Sequence, residues 1–339
     1  MKHSDYATFN LLNQWLNKNQ QAWLVTVLEI WGSAPRPVGS LMACNDQGET
    51  IGSISGGCIE EELIEKLLDT QFTAQHSAHP MEITYGDTVQ EQERLQLPCG
   101  GQLKLLIEPF LPINHHKDHC QHILKALGDR SSIERIANTN NNDKIATPTP
   151  TRPTVLFHNG TLKQTLGPHS RLLLIGAGPV SLQVAQLALA LDYEVEVCDP
   201  RPRYAQQWSN KDVSLTREMP DDVVRDRYSD KYCAVVALAH DPRVDDMGIM
   251  EALQSDAFYV GALGSARTSE KRKTRLFQLD LNDSQIESLH APVGIPIGSR
   301  TPAEIAISLM AELTLVKNQT RVKTQKQDSP QLTLMSEQA

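Results

Sequence analysis

The sequence predicts an α/β chain: an N-terminal α+β domain followed by a doubly wound parallel-sheet domain. Three observations predict it. The chain has 339 residues, enough for about two domains of roughly 150 residues each. The first half carries short apolar runs separated by glycine turns, with one stretch of helical spacing. The second half opens on an apolar strand, a glycine-rich turn, an apolar helix face and a second strand ending in an acid, between Arg171 and Asp199. A composition of 40% hydrophobic and 22% charged residues is that of an ordinary folded protein.

In the first domain, predicted over 1–165, the apolar run Ala22–Trp31 reads as a buried strand. Residues 39–44 and 50–55 flank the turn Asp46-Gln47-Gly48 and predict a hairpin. Ile59, Leu63, Ile64, Leu67 and Leu68 recur at helical spacing, which puts Gly57 or Cys58 at a helix start. Met81–Tyr85 and residues 103–107 read as further strands. From His115 the pattern weakens. Leu124 and Leu127 suit a helix, and residues 138–143 and 147–150 are turn-rich, so about 130–153 reads as a linker or insert. His115, His116, His119 and His122 have helical spacing, but only Asp118 accompanies them, and they read as solvated surface.

The second domain is predicted over 168–317. Strand 171–175, the turn Gly176-Ala177-Gly178-Pro179-Val180-Ser181, helix 184–191 and strand 194–198 form a βαβ start with the dinucleotide fingerprint in context, a Rossmann-like sheet. Gly176 and Gly178 suit a close-approaching pyrophosphate, and Asp199 a ribose diol. Ser181 replaces the third glycine, and Pro179 removes one N–H. A later strand end and a later helix start add candidates. Gly261-Ala262-Leu263-Gly264-Ser265-Ala266-Arg267, followed by Lys271, Arg272, Lys273 and Arg275, suits a phosphate. Arg300 precedes a capping box at Thr301-Pro302-Ala303-Glu304 and is a candidate anion contact. Residues 318–339 are polar and predict a disordered tail.

Two cysteines sit in mirrored glycine settings, Gly56-Gly57-Cys58-Ile59-Glu60 and Leu97-Pro98-Cys99-Gly100-Gly101. Such glycines let the backbone approach a ligand and present a thiol beside it. Neither cysteine has a partner at zinc spacing, so soft-metal or sulfur chemistry is the better reading. Glu60, Glu61 and Glu62 oppose a thiolate at Cys58, and Arg36 is the candidate counter-charge. The other cysteines, 44, 120, 198 and 233, do not form a disulfide framework, and Cys198 and Cys233 read as core.

Taken in order, these motifs, together with Gly32-Ser33-Ala34-Pro35-Arg36-Pro37-Val38-Gly39, resemble the xanthine dehydrogenase accessory factor family, XdhC/CoxI. The resemblance implies a chaperone that binds the molybdenum cofactor, as molybdopterin or its cytosine dinucleotide form. It implies support for sulfuration with sulfur from a cysteine desulfurase, and delivery to a molybdenum hydroxylase such as xanthine dehydrogenase. Cys58 and Cys99 would contact molybdenum through the cofactor or carry sulfur. Arg36, Gly56, Gly57, Gly100, Gly101, Gly176, Gly178, Asp199, Gly261, Gly264, Ser265, Arg267 and Arg300 would line its site. A homodimer is the expected assembly.

An NAD(P)-linked oxidoreductase is the alternative, on the fingerprint and Asp199, although His240-Asp241 is a poor proton-handling pair. An interaction protein that has kept the fold is the third reading. A net charge of −9 disfavours nucleic acid as a partner. No apolar run approaches the ~20 residues that span a bilayer, and the start shows no apolar leader, so a cytoplasmic protein is expected.

Overall fold

The computed structural model describes residues 4–32, 36–57, 59–72, 79–88, 91, 102–150 and 154–327, with side chains through residue 319. The chain divides into two compact units, Lys2–Pro168 and His169–Ala339.

The first unit begins with α1 (Ser4–Asn17), β1 (Ala22–Trp31), β2 (Leu41–Asn45), β3 (Thr50–Gly52) and α2 (Glu60–Leu68). It continues with β4 (Met81–Tyr85), β5 (Gln102–Phe110) and α3 (Asn114–Gly128). Five antiparallel strands form a sheet in the order β3-β2-β1-β5-β4. β1 is buried over residues 22–28, and apolar there except at Thr26, because both its faces are covered. Ala22 and Leu24 pack with α1 and α3, whereas Trp23, Val25 and Val27 pack with Leu63 and Leu67 of α2. The β2–β3 turn is built by Asn45, whose Oδ1 accepts the amides of Gln47 at 3.0 Å and Glu49 at 2.8 Å.

The stretch read as a linker or insert carries two strands. β6 (Ile133–Asn138) and β7 (Ile145–Pro148) join β8 (Thr154–His158) and β9 (Thr161–Leu166) in a second antiparallel sheet, ordered β7-β6-β9-β8. β6 alternates between buried and half-buried positions, but one buried position holds Arg135, so its period-2 signal is broken. The histidine reading also changes. His116 and His119 are buried on the inner face of α3 beside Cys120, Ile123 and Leu127, while His115 and His122 are exposed.

The second unit opens with β10 (Arg171–Ile175), α4 (Pro179–Ala190), β11 (Glu194–Cys198), α5 (Pro202–Ala205), β12 (Ser214–Thr216) and α6 (Pro220–Arg227). There follow β13 (Cys233–Ala237), α7 (Pro242–Leu253), β14 (Tyr259–Ala262), α8 (Ala266–Gln278), α9 (Asp283–Glu287), β15 (Leu289–His290) and α10 (Pro302–Gln327). The sheet is parallel, in the order β12-β11-β10-β13-β14-β15, with the strand reversal beside β10. Leu172 and Leu174 pack with Val184 and Ala188 of α4 and Leu309 and Leu313 of α10. Leu173 and Ile175 face Val223 of α6 and Ile249 of α7 on the other side. This is the doubly wound Rossmann-like fold read from the sequence. α10 runs to Gln327, ten residues past the predicted end of the domain at 317. Among the described residues no helix is long and apolar enough to cross a membrane.

Candidate functional site

In the first unit the loop before α2 is organised around one carboxylate. Glu60 Oε1 accepts the hydroxyl of Ser53 at 2.8 Å and the amides of Ile54, Ser55 and Gly56 at 3.2, 3.0 and 3.0 Å. Its Oε2 accepts the Ser55 hydroxyl and the amides of Gly57 at 2.9 Å and Ile59 at 3.3 Å. Gly56 and Gly57 reach φ of +84° and +121°, which turns successive N–H groups onto one anion. Burial alone would raise the Glu60 carboxyl, but the hydrogen bonds from Ser55 and Ser53 outweigh it and lower its pKa from 4.5 to about 2. Glu60 therefore holds the loop, and the Gly56 and Gly57 amides already serve this internal anion. Arg36 is exposed. Cys58, Cys99, Gly100 and Gly101 lie outside the described residues.

A second charged group lies deep in the same unit. Arg135 donates to Glu108 at 2.6 Å, to Gln164 at 2.7 Å and to Thr26 at 2.7 Å, and Lys144 Nζ lies 3.5 Å from the same Glu108. All three charged side chains are 1% exposed, so the pairing decides whether this core is tolerable. Burial would raise the Glu108 carboxyl, yet Arg135 and Lys144 hold it below the usual range. Gln164 also donates to the Gly39 carbonyl at 2.9 Å, tying the end of the 32–39 motif to β9.

In the second unit the carboxyl edge of the sheet carries the fingerprint. Gly176 has φ +107°, and a Cβ there would lie 2.6 Å from the Ala239 backbone, so this glycine serves a tight crossing of β10 and β13. Gly178 differs. Its backbone is extended (φ −98°, ψ 179°) and a Cβ would meet nothing within 4 Å. The Ser181 hydroxyl donates to the Gly176 carbonyl at 2.5 Å and closes the turn.

Asp199 is at the predicted strand end, but its environment differs from that of a ribose acceptor. The side chain is fully buried and takes the Ala177 amide at 2.9 Å on Oδ2. Arg201 binds both of its oxygens, Nε to Oδ1 at 2.9 Å and Nη2 to Oδ2 at 2.8 Å. The Arg201 amide adds a contact to Oδ1 at 3.0 Å. Burial would raise the Asp199 carboxyl, and the Arg201 and Ala177 hydrogen bonds lower it instead.

The basic glycine loop is likewise committed elsewhere. A Cβ on Gly261 would sit 2.7 Å from Tyr259 and 2.9 Å from Val293, so its glycine is required by packing. At Gly264 the nearest neighbour is Thr268, 3.4 Å from where a Cβ would lie. Ser265 caps α8 by accepting the Thr268 amide. Arg272 is buried against Asp245 at 3.1 Å and Asp246 at 2.9 Å, and Arg275 binds Asp246 at 2.7 Å. Arg267 and Lys271 remain exposed, as does Arg300 next to its capping box, where Glu304 accepts the Arg300 and Thr301 amides at 2.7 and 3.0 Å. The pair His240-Asp241 is structural: His240 has φ +57°, and Asp241 caps α7 and binds Arg243 at 2.9 Å.

Sequence reasoning missed three arrangements: the Glu60 cradle, the Arg201 clamp, and a Tyr259–Glu312–His290 group. In the last, Glu312 accepts from Tyr259 at 2.6 Å and Gly294 at 2.7 Å and lies 3.1 Å from His290. The glycine pair ahead of an acid, and the arginine two residues after Asp199, were the local signals for the first two. Among the described residues no group of three or more His, Cys, Asp or Glu side chains is arranged to hold a metal ion.

Comparison with known proteins matches residues 15–82 to the XdhC and CoxI family and residues 172–313 to the XdhC Rossmann domain, together more than half of the chain. The chain belongs to the XdhC/CoxI family. This XdhC/CoxI protein is 28% identical over 308 residues to the molybdenum cofactor insertion chaperone PaoD of Escherichia coli, covering 89% of this chain and 85% of PaoD. It is 26% identical over 338 residues to a Bacillus subtilis protein described as a probable xanthine dehydrogenase subunit, covering 92% and 98% of the two chains. A crystal structure from Bacillus halodurans described as a xanthine dehydrogenase shares the fold, with a TM-score of 0.71, 22% identity, and coverage of 92% of this chain and 96% of that one.

Proposed function

We propose that this XdhC/CoxI protein is an accessory factor that binds the molybdenum cofactor as cargo, supports its sulfuration and inserts it into a xanthine dehydrogenase-like molybdoenzyme. The observation that carries the proposal is the likeness to the E. coli insertion chaperone across 89% of the chain. The donor set is chemically suited. Thiols at Cys58 and Cys99 are soft ligands for molybdenum and can hold a persulfide delivered by a cysteine desulfurase. The open space over Gly178 suits close approach of the cargo's phosphate, because nothing in the fold itself calls for a glycine there. Arg267 and Arg300, on the same unit as Gly178, are exposed cations available to an anionic cargo. The Gly56–Gly57 amides are not part of this phosphate site, since Glu60 uses them.

The test is purification from a molybdenum-replete host, followed by metal analysis and pterin mass spectrometry. Molybdenum and pterin should co-purify with the wild type, and Cys58→Ala or Cys99→Ala should weaken retention or sulfuration. Wild-type protein free of both, or variants that load and sulfurate normally, would sink the corresponding part of the proposal. A homodimer belongs to the same reading, and light scattering on the full chain measures it.

A further inference from the structure

The ribose position of a dinucleotide-binding sheet is the acid at the end of its second strand, whose two oxygens accept the vicinal hydroxyls of the sugar. Here that acid is Asp199, and Arg201 is seated on both of its oxygens. The guanidinium is fixed on its other sides as well. Nη1 donates to the Ala239 carbonyl at 3.1 Å, and the plane lies 4.1 Å from the Tyr204 ring centre. Ala239 cannot easily give way. Its amide donates to the buried Asp245 at 3.0 Å, and its backbone lies against Gly176. Pro202 follows Arg201 and opens α5, so the backbone that carries the clamp is also constrained. Four chain segments, the ends of β10, β11 and β13 and the start of α5, thus hold one arginine over the carboxylate.

We propose that Arg201 is a specificity-determining residue that closes the ribose position of this Rossmann edge, so that NAD-type dinucleotides are rejected despite the fingerprint. A diol arriving at Asp199 has to displace a bidentate, charge-assisted pair and leave the guanidinium without its carboxylate. Two further features act in the same direction. The N–H of Ala177, inside the glycine turn, is already donated to Asp199. Pro179 supplies no N–H at the first helical position. What the edge leaves open is the space over Gly178, which suits a phosphate group that brings no ribose to Asp199. The inference stands on this geometry and holds whether or not the chain carries molybdenum cofactor.

The experiment titrates the full chain with NADH, NADPH and ADP-ribose by calorimetry and nicotinamide fluorescence. The wild type should show no saturable binding up to about 1 mM, and Arg201→Ser should bind NADH and ADP-ribose at least about tenfold tighter than wild type. Asp199→Asn added to Arg201→Ser should remove the gain. Arg201→Lys, which keeps the charge but cannot span both oxygens, should show a smaller gain and serves if the serine variant fails to fold. Three results overturn the inference. One is tight NADH binding by the wild type that Asp199→Asn abolishes. Another is preferential NADPH binding by the wild type, which would make Arg201 a 2′-phosphate contact. The third is a folded Arg201 variant that gains no binding.

Discussion

Replacing Glu60 by glutamine tests the cradle before α2. The carboxylate accepts two hydroxyls and five amides from residues 53–59. Glutamine keeps the shape, removes the charge, and turns an NH2 donor toward groups that are themselves donors. A carboxyl lowered from 4.5 to about 2 corresponds to about 3 kcal/mol of linkage. Glu60 is half-buried, so solvent screening brings this to about 2 kcal/mol. The sign follows from the lowered value: this stability is complete above the unfolded carboxyl's pKa of 4.5 and is lost as pH falls toward about 2. The assay is hydrogen exchange of the full chain at neutral pH, read on the peptide spanning residues 53–60. About 2 kcal/mol of lost local stability makes the Ser55, Gly56 and Gly57 amides exchange about 30-fold faster in Glu60→Gln. The β13 peptide in the other unit should not change. Exchange in the loop within about threefold of wild type would refute the reasoning, because the cradle would then not hold these amides.

Other outcomes follow from the same structure. Burial and nearby Lys144 lower His116 to about 4, and burial with Arg135 and Lys144 holds His119 well below the usual histidine range. Unfolded histidine takes a proton near 6.5, so the first unit should lose about 3 kcal/mol through His116 as pH falls from 6.5 to 4. Urea midpoints across that range, compared with His116→Gln, check it. Both His119 ring nitrogens are buried without a partner, so His119→Leu should stabilise by about 1–2 kcal/mol, read as a raised Tm. Glu108→Gln leaves Arg135 and Lys144 buried without their counter-charge and should cost about 3–5 kcal/mol in chemical denaturation. Gly176→Ala should cost more than about 2 kcal/mol, whereas Gly178→Ala should stay within about 0.5 kcal/mol of wild type yet weaken cofactor retention.

The βαβ opening of the second unit was legible because each of its signals is local. Strand 171–175, the glycine turn and helix 179–190 lie within twenty residues, and their periodicities do not depend on a distant partner. The same holds for the β2–β3 hairpin, with its Asn45 turn, and for the capping box at Thr301. β6 was not legible, because an inward arginine looks like a surface residue until its partners are known. One of those partners, Thr26, is 109 residues away. The inner face of α3 was misread for a related reason, since it places two histidines where a core helix usually shows aliphatic side chains.

By itself, the sequence determined the parallel sheet of the second unit and membership of the XdhC/CoxI family, because periodicity, turn residues and ordered motifs are properties of short segments. Only the tertiary structure decided which charges meet. It assigned Glu60 to the amides beside it, put Arg135 and Lys144 on Glu108, and set Arg201 on the carboxylate that the fingerprint had offered to a ribose. An ionisable side chain is defined by its partners and its burial. Partners that come from other strands and helices exist only once the chain has folded.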